Sequence, residues 1–415
     1  MTVRYPNVLL CTFLLLGFLG PILSYVTYRS IVPLCVLAAC STIVALGPSQ
    51  SLKAIQNLSL PEKLIAPIFV SWLLITTLWS PDTGRSLLSV LKFSGTAIVI
   101  FFLLVGASKI DNSSAKKIVI SLGLSILLVA FLWVSDIFSN GSISFFLFKF
   151  FYREPFGYYW FKAALTIISF SALIIGYIFW KLNYKFFTFS TIVLLLFLMV
   201  SFNSRTLMVA LPIAIIGAFA LKAIGRNRIK FLIGALFISS LILVSNMGKT
   251  FTAAEVSNAL PRNASASQSV IYRMHIWTFT INKIRDKFLF GWGLGTSRSI
   301  GQDSSTIDPN YGNMGEALPL HPHNLALHIL LETGLVGYIL FLTLIYLILN
   351  NFDQNTKKSS ASSICFLTIT ILAIALWHFN YSAWASWWLH QLGFTSAMMI
   401  VAMRTSTAFW INKNE

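Results

Sequence analysis

His321-Pro322-His323-Asn324-Leu325-Ala326-Leu327-His328-Ile329-Leu330-Leu331-Glu332-Thr333-Gly334-Leu335-Val336-Gly337 is the stretch whose reading decides the fold. It opens on proton-handling residues and continues as an apolar segment interrupted only by His328, Glu332 and Thr333. It breaks at Gly334, and a long hydrophobic run follows. That order describes a polar site at the mouth of a membrane helix. Proline pushes the residue before it out of the helical region, so His321 is extended and a helix begins at Pro322 or shortly after. His323 then falls in the first helical turn, where free N–H groups and the helix dipole favour a neutral, proton-accepting imidazole. Asn324 is placed to hydrogen-bond a neighbouring backbone group or a sugar hydroxyl. Glu332 lies about 2.5 turns beyond His323 and does not reach it within one helix.

Working outward, hydrophobic residues make up 56% of the 415 and charged residues only 10%, which excludes an ordinary soluble domain. Apolar runs of about 17 to 25 residues recur along the chain, and backbone hydrogen bonding in lipid makes them helices. Twelve spans are expected, near residues 7–26, 30–48, 64–80, 88–107, 117–138, 159–180, 186–202, 206–222, 230–247, 335–350, 361–380 and 384–404. The fold class is therefore all-α, a polytopic integral membrane protein with residues 1–415 as a single transmembrane domain. The first run reads as a retained span, since no small-x-small cleavage site follows it. Cys11, Cys35, Cys40 and Cys365 fall inside spans without ligand spacing and read as packing residues.

The net charge of +17 would suit nucleic acid, but its placement argues against that partner. With a cytoplasmic N-terminus, sixteen of the thirty basic residues fall in inner segments, which is the positive-inside pattern. The remaining ones gather in one large periplasmic loop, 248–320, and around a few span ends. Arg85 and Lys92 near the fourth span read most simply as snorkelling to headgroups. Residues 139–159, rich in aromatics and including Lys149 and Arg153, fit an interfacial helix. Arg205, in the tight link Asn203-Ser204-Arg205-Thr206, stands where positive-inside bias gives it no reason to be.

Within the large loop an amphipathic helix is expected near 268–287, carrying Arg273, His275 and Trp277 and ending in Lys283, Arg285 and Lys287 as a lipid-headgroup contact. Gly291, Gly293 and Gly295 permit close backbone approach and a sharp turn that presents Arg298 to the same face. With no preceding strand, they are not a dinucleotide fingerprint. Residues 304–319 read as a mobile polar cover. The last outer link, Trp377 to Trp388, reads as an aromatic belt, with stacking on sugar rings as the sharper alternative.

The chain at this point resembles the O-antigen ligase superfamily, which also includes O-antigen polymerases and protein O-oligosaccharyltransferases. The likeness rests on His323-Asn324, nine residues, Gly334, two residues and Gly337. It is supported by Asn203-Ser204-Arg205-Thr206, by Tyr272-Arg273 leading to Phe290-Gly291-Trp292-Gly293, and by the Trp-rich last link. The resemblance implies a GT-C-like glycosyltransferase of the bacterial inner membrane with its site facing the periplasm. Its donor would be a glycan on undecaprenyl diphosphate and its acceptor a hydroxyl of lipid A-core or another glycan. Among members, a ligase or polymerase is preferred over a protein O-oligosaccharyltransferase because the loop is short and nothing is appended at the C-terminus, with ligation onto lipid A-core as the leading reading. A polymerase with the same site is the alternative, and a secondary transporter a distant one.

On that reading His323 is the catalytic base, and Arg205, Arg273 and Arg298 clamp the diphosphate with Asn324 also binding substrate. Support is expected from His321, Glu332, Gly334, Gly337 and Arg85, with Glu332 a buried partner for one of the arginines. Gly334 and Gly337 would let helices approach closely. No cofactor and no metal are expected, because five residues separate His323 from His328 on a helix and turn them to different faces.

Overall fold

The computed structural model describes residues 3–151, 159–247, 252–259, 265–301, 304–308, 310–357 and 359–405. Long apolar helices follow one another through short links: α1 (Pro6–Val26), α2 (Ile31–Leu46), α3 (Leu60–Thr76), α4 (Thr83–Ala107), α5 (Asn112–Phe138), α6 (Tyr159–Lys181), α7 (Lys185–Ser201), α8 (Arg205–Ile224) and α9 (Arg228–Asn246). Beyond the large loop, which contributes α10 (Ser265–Asp286), come α11 (Leu325–Thr356), α12 (Ser360–Phe379) and α13 (Ser386–Arg404). Their starts are set by local chemistry. Asp82 accepts the Arg85 amide, Asp111 those of Ser113 and Ser114, and Ser359 that of Ser362, each satisfying N–H groups that a helix start leaves free.

Among the described residues, nine segments are long and apolar enough to cross a membrane, against the twelve spans expected. One of the nine, Arg205–Asn246, holds both α8 and α9, joined through the tight turn Gly225–Asn227. The chain is an all-α polytopic membrane protein whose one departure among the described residues is a two-stranded antiparallel ribbon. Its strands β1 (Ser305–Asp308) and β2 (Gly312–Glu316) pair Ser305 with Glu316 and Asp308 with Gly312, with a bulge between Thr306 and Ile307. A cover free of regular structure was the expectation for this segment. The Asp308 carboxylate organises it instead, accepting from the Asn310 and Tyr311 amides at the turn, from Ser257 at 3.1 Å and from His275 at 2.9 Å.

The bundle core is apolar, with Phe13, Leu73, Leu103, Trp133, Phe170, Trp388 and Phe394 fully buried where helices cross. Helix α11 packs against α3, α9, α10 and α12 and so connects the large loop to the bundle. Helix α10 turns Ile271, Ile276, Ile281 and Ile284 inward, all buried. Its basic end is committed to protein. The Arg285 guanidinium donates to the carbonyls of Val244 and Met247 at the end of α9, where a helix leaves carbonyls unpaired, and Lys287 lies 4.1 Å from the centre of the Trp292 ring. The lipid-headgroup reading of Arg285 and Lys287 is thereby replaced. The helix at Ser142–Phe151 occupies the expected interfacial segment, and Arg153 lies outside the described residues.

Candidate functional site

Helix α11 starts at Leu325, three residues later than the Pro322 signal suggests. Asn324 is its N-cap, with extended backbone, and its Oδ1 accepts the Leu327 amide at 3.1 Å. His323 therefore precedes the helix. Its backbone is left-handed at φ 51°, a conformation costly for most side chains and tolerated by few besides glycine, asparagine, aspartate and histidine. The His323 amide donates to Nδ1 of His321 at 3.2 Å, and the two rings meet edge-on with centroids 4.2 Å apart. His328, expected on another face, comes under His321, their rings near-parallel at 6.1 Å. The helical-interval argument fails because His323 is not helical.

Two carbonyl contacts fix this segment. Trp277 on α10 donates its indole N–H to Pro322 at 2.9 Å, and the Ser297 hydroxyl oxygen lies 3.3 Å from the Leu320 carbonyl. Arg273 lies one turn before Trp277 on the same face of α10, and Arg298 follows Ser297. Both guanidinium charges consequently bear on the histidines. Burial first, then the charge of Arg273, pushes His323 down to about 4, while a hydrogen bond to the Asn380 backbone works the other way. Burial pushes His321 further, to about 2, helped by His323, His328, Arg298 and Arg273. Both imidazoles are neutral at neutral pH, and Nδ1 of His323 is buried with no hydrogen-bond partner among the described residues.

The remaining candidates fall in different places. Arg205 opens α8, exposed, with its Nε donating to Asn203 at 3.2 Å. It approaches the histidines at one remove, since Thr206 beside it donates to the Asn380 side chain at 3.1 Å. Arg85 pairs with Asp82 at 3.3 Å on the exposed start of α4, facing Gly295 rather than the histidines.

Glu332 pairs with no arginine. Fully buried, it accepts the Gly295 amide at 2.7 Å and the Trp384 indole N–H at 2.7 Å on one oxygen. The other oxygen takes the Ser297 amide at 3.0 Å, the Ser297 hydroxyl at 2.7 Å and His328 Nε2 at 3.2 Å. Because His328 Nδ1 accepts the Ala383 amide at 3.1 Å, its proton must sit on Nε2, pointing at Glu332 and Ser297. One carboxylate thus ties the His motif, the glycine turn and the Trp-rich link together.

The break at Gly334, φ 66°, is closed by a strap, residues 288–293. The amides of Trp292 and Gly293 donate to the carbonyls of Leu331 and Glu332 at 2.9 and 2.8 Å, and the Leu335 amide donates to Phe288 at 2.8 Å. Trp72 donates to the Thr333 carbonyl at 3.0 Å and Trp79 to that of Gly291 at 3.1 Å. Backbone groups freed by a broken helix in apolar surroundings need such partners. A Cβ on Gly291 would stand 2.5 Å from the Gly334 nitrogen, so the close approach belongs to the strap. Gly337 makes room for Trp72, whose Nε1 would stand 2.8 Å from an added Cβ. Gly334 serves the strap instead of a helix-to-helix contact, whereas Gly337 lets α11 approach Trp72 on α3.

The structure thus gathers His321, His323, Arg273 and Arg298, and adds Ser297, His328, Trp384 and Asn380, which reading the sequence did not select. The tryptophans of the last link are mostly committed to packing: Trp377 and Trp388 are buried, and Trp384 serves Glu332.

Residues 191–342, which include Arg205, Arg273, Arg298 and the His motif as far as Gly337, match the O-antigen ligase family. A candidate polysaccharide ligase of Rickettsia conorii is 28% identical over 330 residues, covering 78% of this chain and 76% of that protein. One from Rickettsia prowazekii is 26% identical over 325 residues with the same coverage. A third, from Rickettsia felis, is 38% identical over 124 residues, 29% of each chain. Through the His motif and the stretch that carries it, residues 191–342, the chain is similar to the O-antigen ligase family.

Proposed function

We propose that this protein transfers a glycan from undecaprenyl diphosphate to a hydroxyl, with lipid A-core as acceptor, at the periplasmic face of the inner membrane. The reading is supported above all by the buried, partnerless Nδ1 of a neutral His323 within the field of Arg273. Nδ1 takes the proton of the attacking hydroxyl as its oxygen bonds to the anomeric carbon. The bond from that carbon to the diphosphate oxygen breaks on the opposite face, so the configuration inverts. Arg273 and Arg298 neutralise the departing diphosphate, and forked guanidinium donors suit its oxygens. Arg205 supplies charge from the start of α8.

The same contacts couple binding to basicity. With the donor absent, Arg273 depresses the basicity of His323. A bound diphosphate offsets that charge and strengthens the base when substrate is in place.

The test is transfer by purified protein from a defined lipid-linked glycan, offered either lipid A-core or a second lipid-linked glycan. Glycosylated lipid A-core from the parent and none from His323→Ala supports the proposal. Product formed only on the second lipid-linked glycan reassigns the protein as a polymerase, and equal product from His323→Ala removes the mechanism.

A further inference from the structure

At the far end of α11 from His323, the turn Gly225–Asn227 and the last turn of α11 enclose a crevice of about 660 Å³. It is lined by Gly225, Arg226, Arg228, Gln354 and Lys357. Beyond the break at Gly334, α11 continues from Leu335 to Thr356, about 33 Å at 1.5 Å per residue, against a hydrocarbon layer of about 30 Å. The crevice therefore lies at the opposite membrane–water boundary from the His323 site, at headgroup depth.

Its charges are arranged and not merely present. Arg228 is only 4% exposed, and its Nε and Nη2 donate to one oxygen of the buried Asp353 at 2.8 and 2.5 Å. Lys357 stands 3.4 Å from the other oxygen. Arg228 and Lys357 thus share a single carboxylate, and Arg226 adds a third cation to the lining. Burying an ion pair is a poor way to gain stability, and orienting a chain in the membrane requires only basic residues somewhere in an inner link. What Asp353 achieves is a guanidinium held in one orientation, Nη1 outside the pair, on the wall of a crevice with surplus positive charge.

We propose that this crevice binds the phosphate of an anionic lipid headgroup. A phosphodiester accepts from arginine in pairs and from lysine as a point charge, and basic crevices between membrane helices suit such headgroups. The inference stands apart from the glycan-transfer reading, whose residues lie at the other end of α11.

The experiment uses full-length protein stripped of lipid in neutral detergent. Phosphatidylglycerol, zwitterionic phosphatidylethanolamine or inorganic phosphate is added, and lipid retention is read by native mass spectrometry and Tm by thermal unfolding. Phosphatidylglycerol is expected to be retained and to raise Tm, with phosphatidylethanolamine much weaker. Arg226→Gln combined with Lys357→Gln should weaken retention about tenfold or more, and Gln354→Glu should weaken it without removing a cation. Both replaced cations are exposed, so the unliganded Tm should hold. Displacement of the lipid by millimolar phosphate supports the phosphate chemistry and shifts its source to a soluble anion. Equal retention of the two lipids, or retention indifferent to all three substitutions, overturns the proposal.

Discussion

Trp384 and Glu332, 52 positions apart, are joined by a 2.7 Å hydrogen bond from the indole N–H to a carboxylate oxygen that is fully buried. Every contact to Glu332 is a donor, so an isosteric amide cannot replace it: its NH2 would face donors with nothing to accept. Glu332→Gln should lower stability by about 1–3 kcal/mol, read as a fall in Tm. Trp384→Phe removes one donor, leaves four contacts, and should cost less. A Glu332→Gln protein as stable as its parent would contradict the hub.

His323→Asn should reduce transfer by about 10² to 10⁴ while Tm holds, because asparagine, unlike alanine, accepts the left-handed backbone there, and no helix cap is broken. Asn324→Ala should behave differently. It removes the cap of α11, costs about 0.5–2 kcal/mol, and loosens the backbone that carries His323. Activity and Tm measured together separate the two.

The rate should follow the neutral form of His323, so kcat/KM falls as pH drops through its pKa. With that pKa lowered to about 4, the acid limb should lie well below the ordinary histidine range near 6.5. Arg273→Gln removes a positive neighbour and should move the limb upward, while costing about 10² to 10³ in rate if Arg273 meets charge that develops in the transition state. An acid limb unmoved by Arg273→Gln would sever the coupling of arginine to base.

Gly334→Ala should prevent normal folding. Its φ of 66° is left-handed, and the added Cβ would stand 2.5 Å from the Phe290 nitrogen in the strap. Gly291→Ala meets the same backbone from the other side. Both should accumulate as misfolded protein by size-exclusion chromatography, whereas Gly95→Ala, with nothing within 4 Å, should not.

The helical class and the glycine break were legible because each is written locally, in hydropathy and in Gly334. The exact start of α11 was misread because two local signals compete there. Proline favours the first helical position, but Asn324 can satisfy the Leu327 amide with its own side chain, and that cap wins. The partners of Glu332 were not legible at all. Gly295, Ser297 and Trp384 lie 35 to 52 positions away and are brought in by the strap and the last link, so expecting an arginine opposite a buried carboxylate was natural but wrong. Arg285 misled for the same reason, since a cation near lipid looks like a headgroup contact until the end of α9 is found beneath it.

The strap also decides which wall of the site is able to yield. Lifting residues 288–293 away from Gly334 would strand several main-chain donors and acceptors in apolar surroundings at once, a penalty of several kcal/mol each. The ribbon is fastened to α10 by two side-chain tips, His275 on Asp308 and the Tyr272 hydroxyl on the Glu316 carbonyl, the latter open to water. Of the two, the strap is the rivet and the ribbon the more lightly fastened wall.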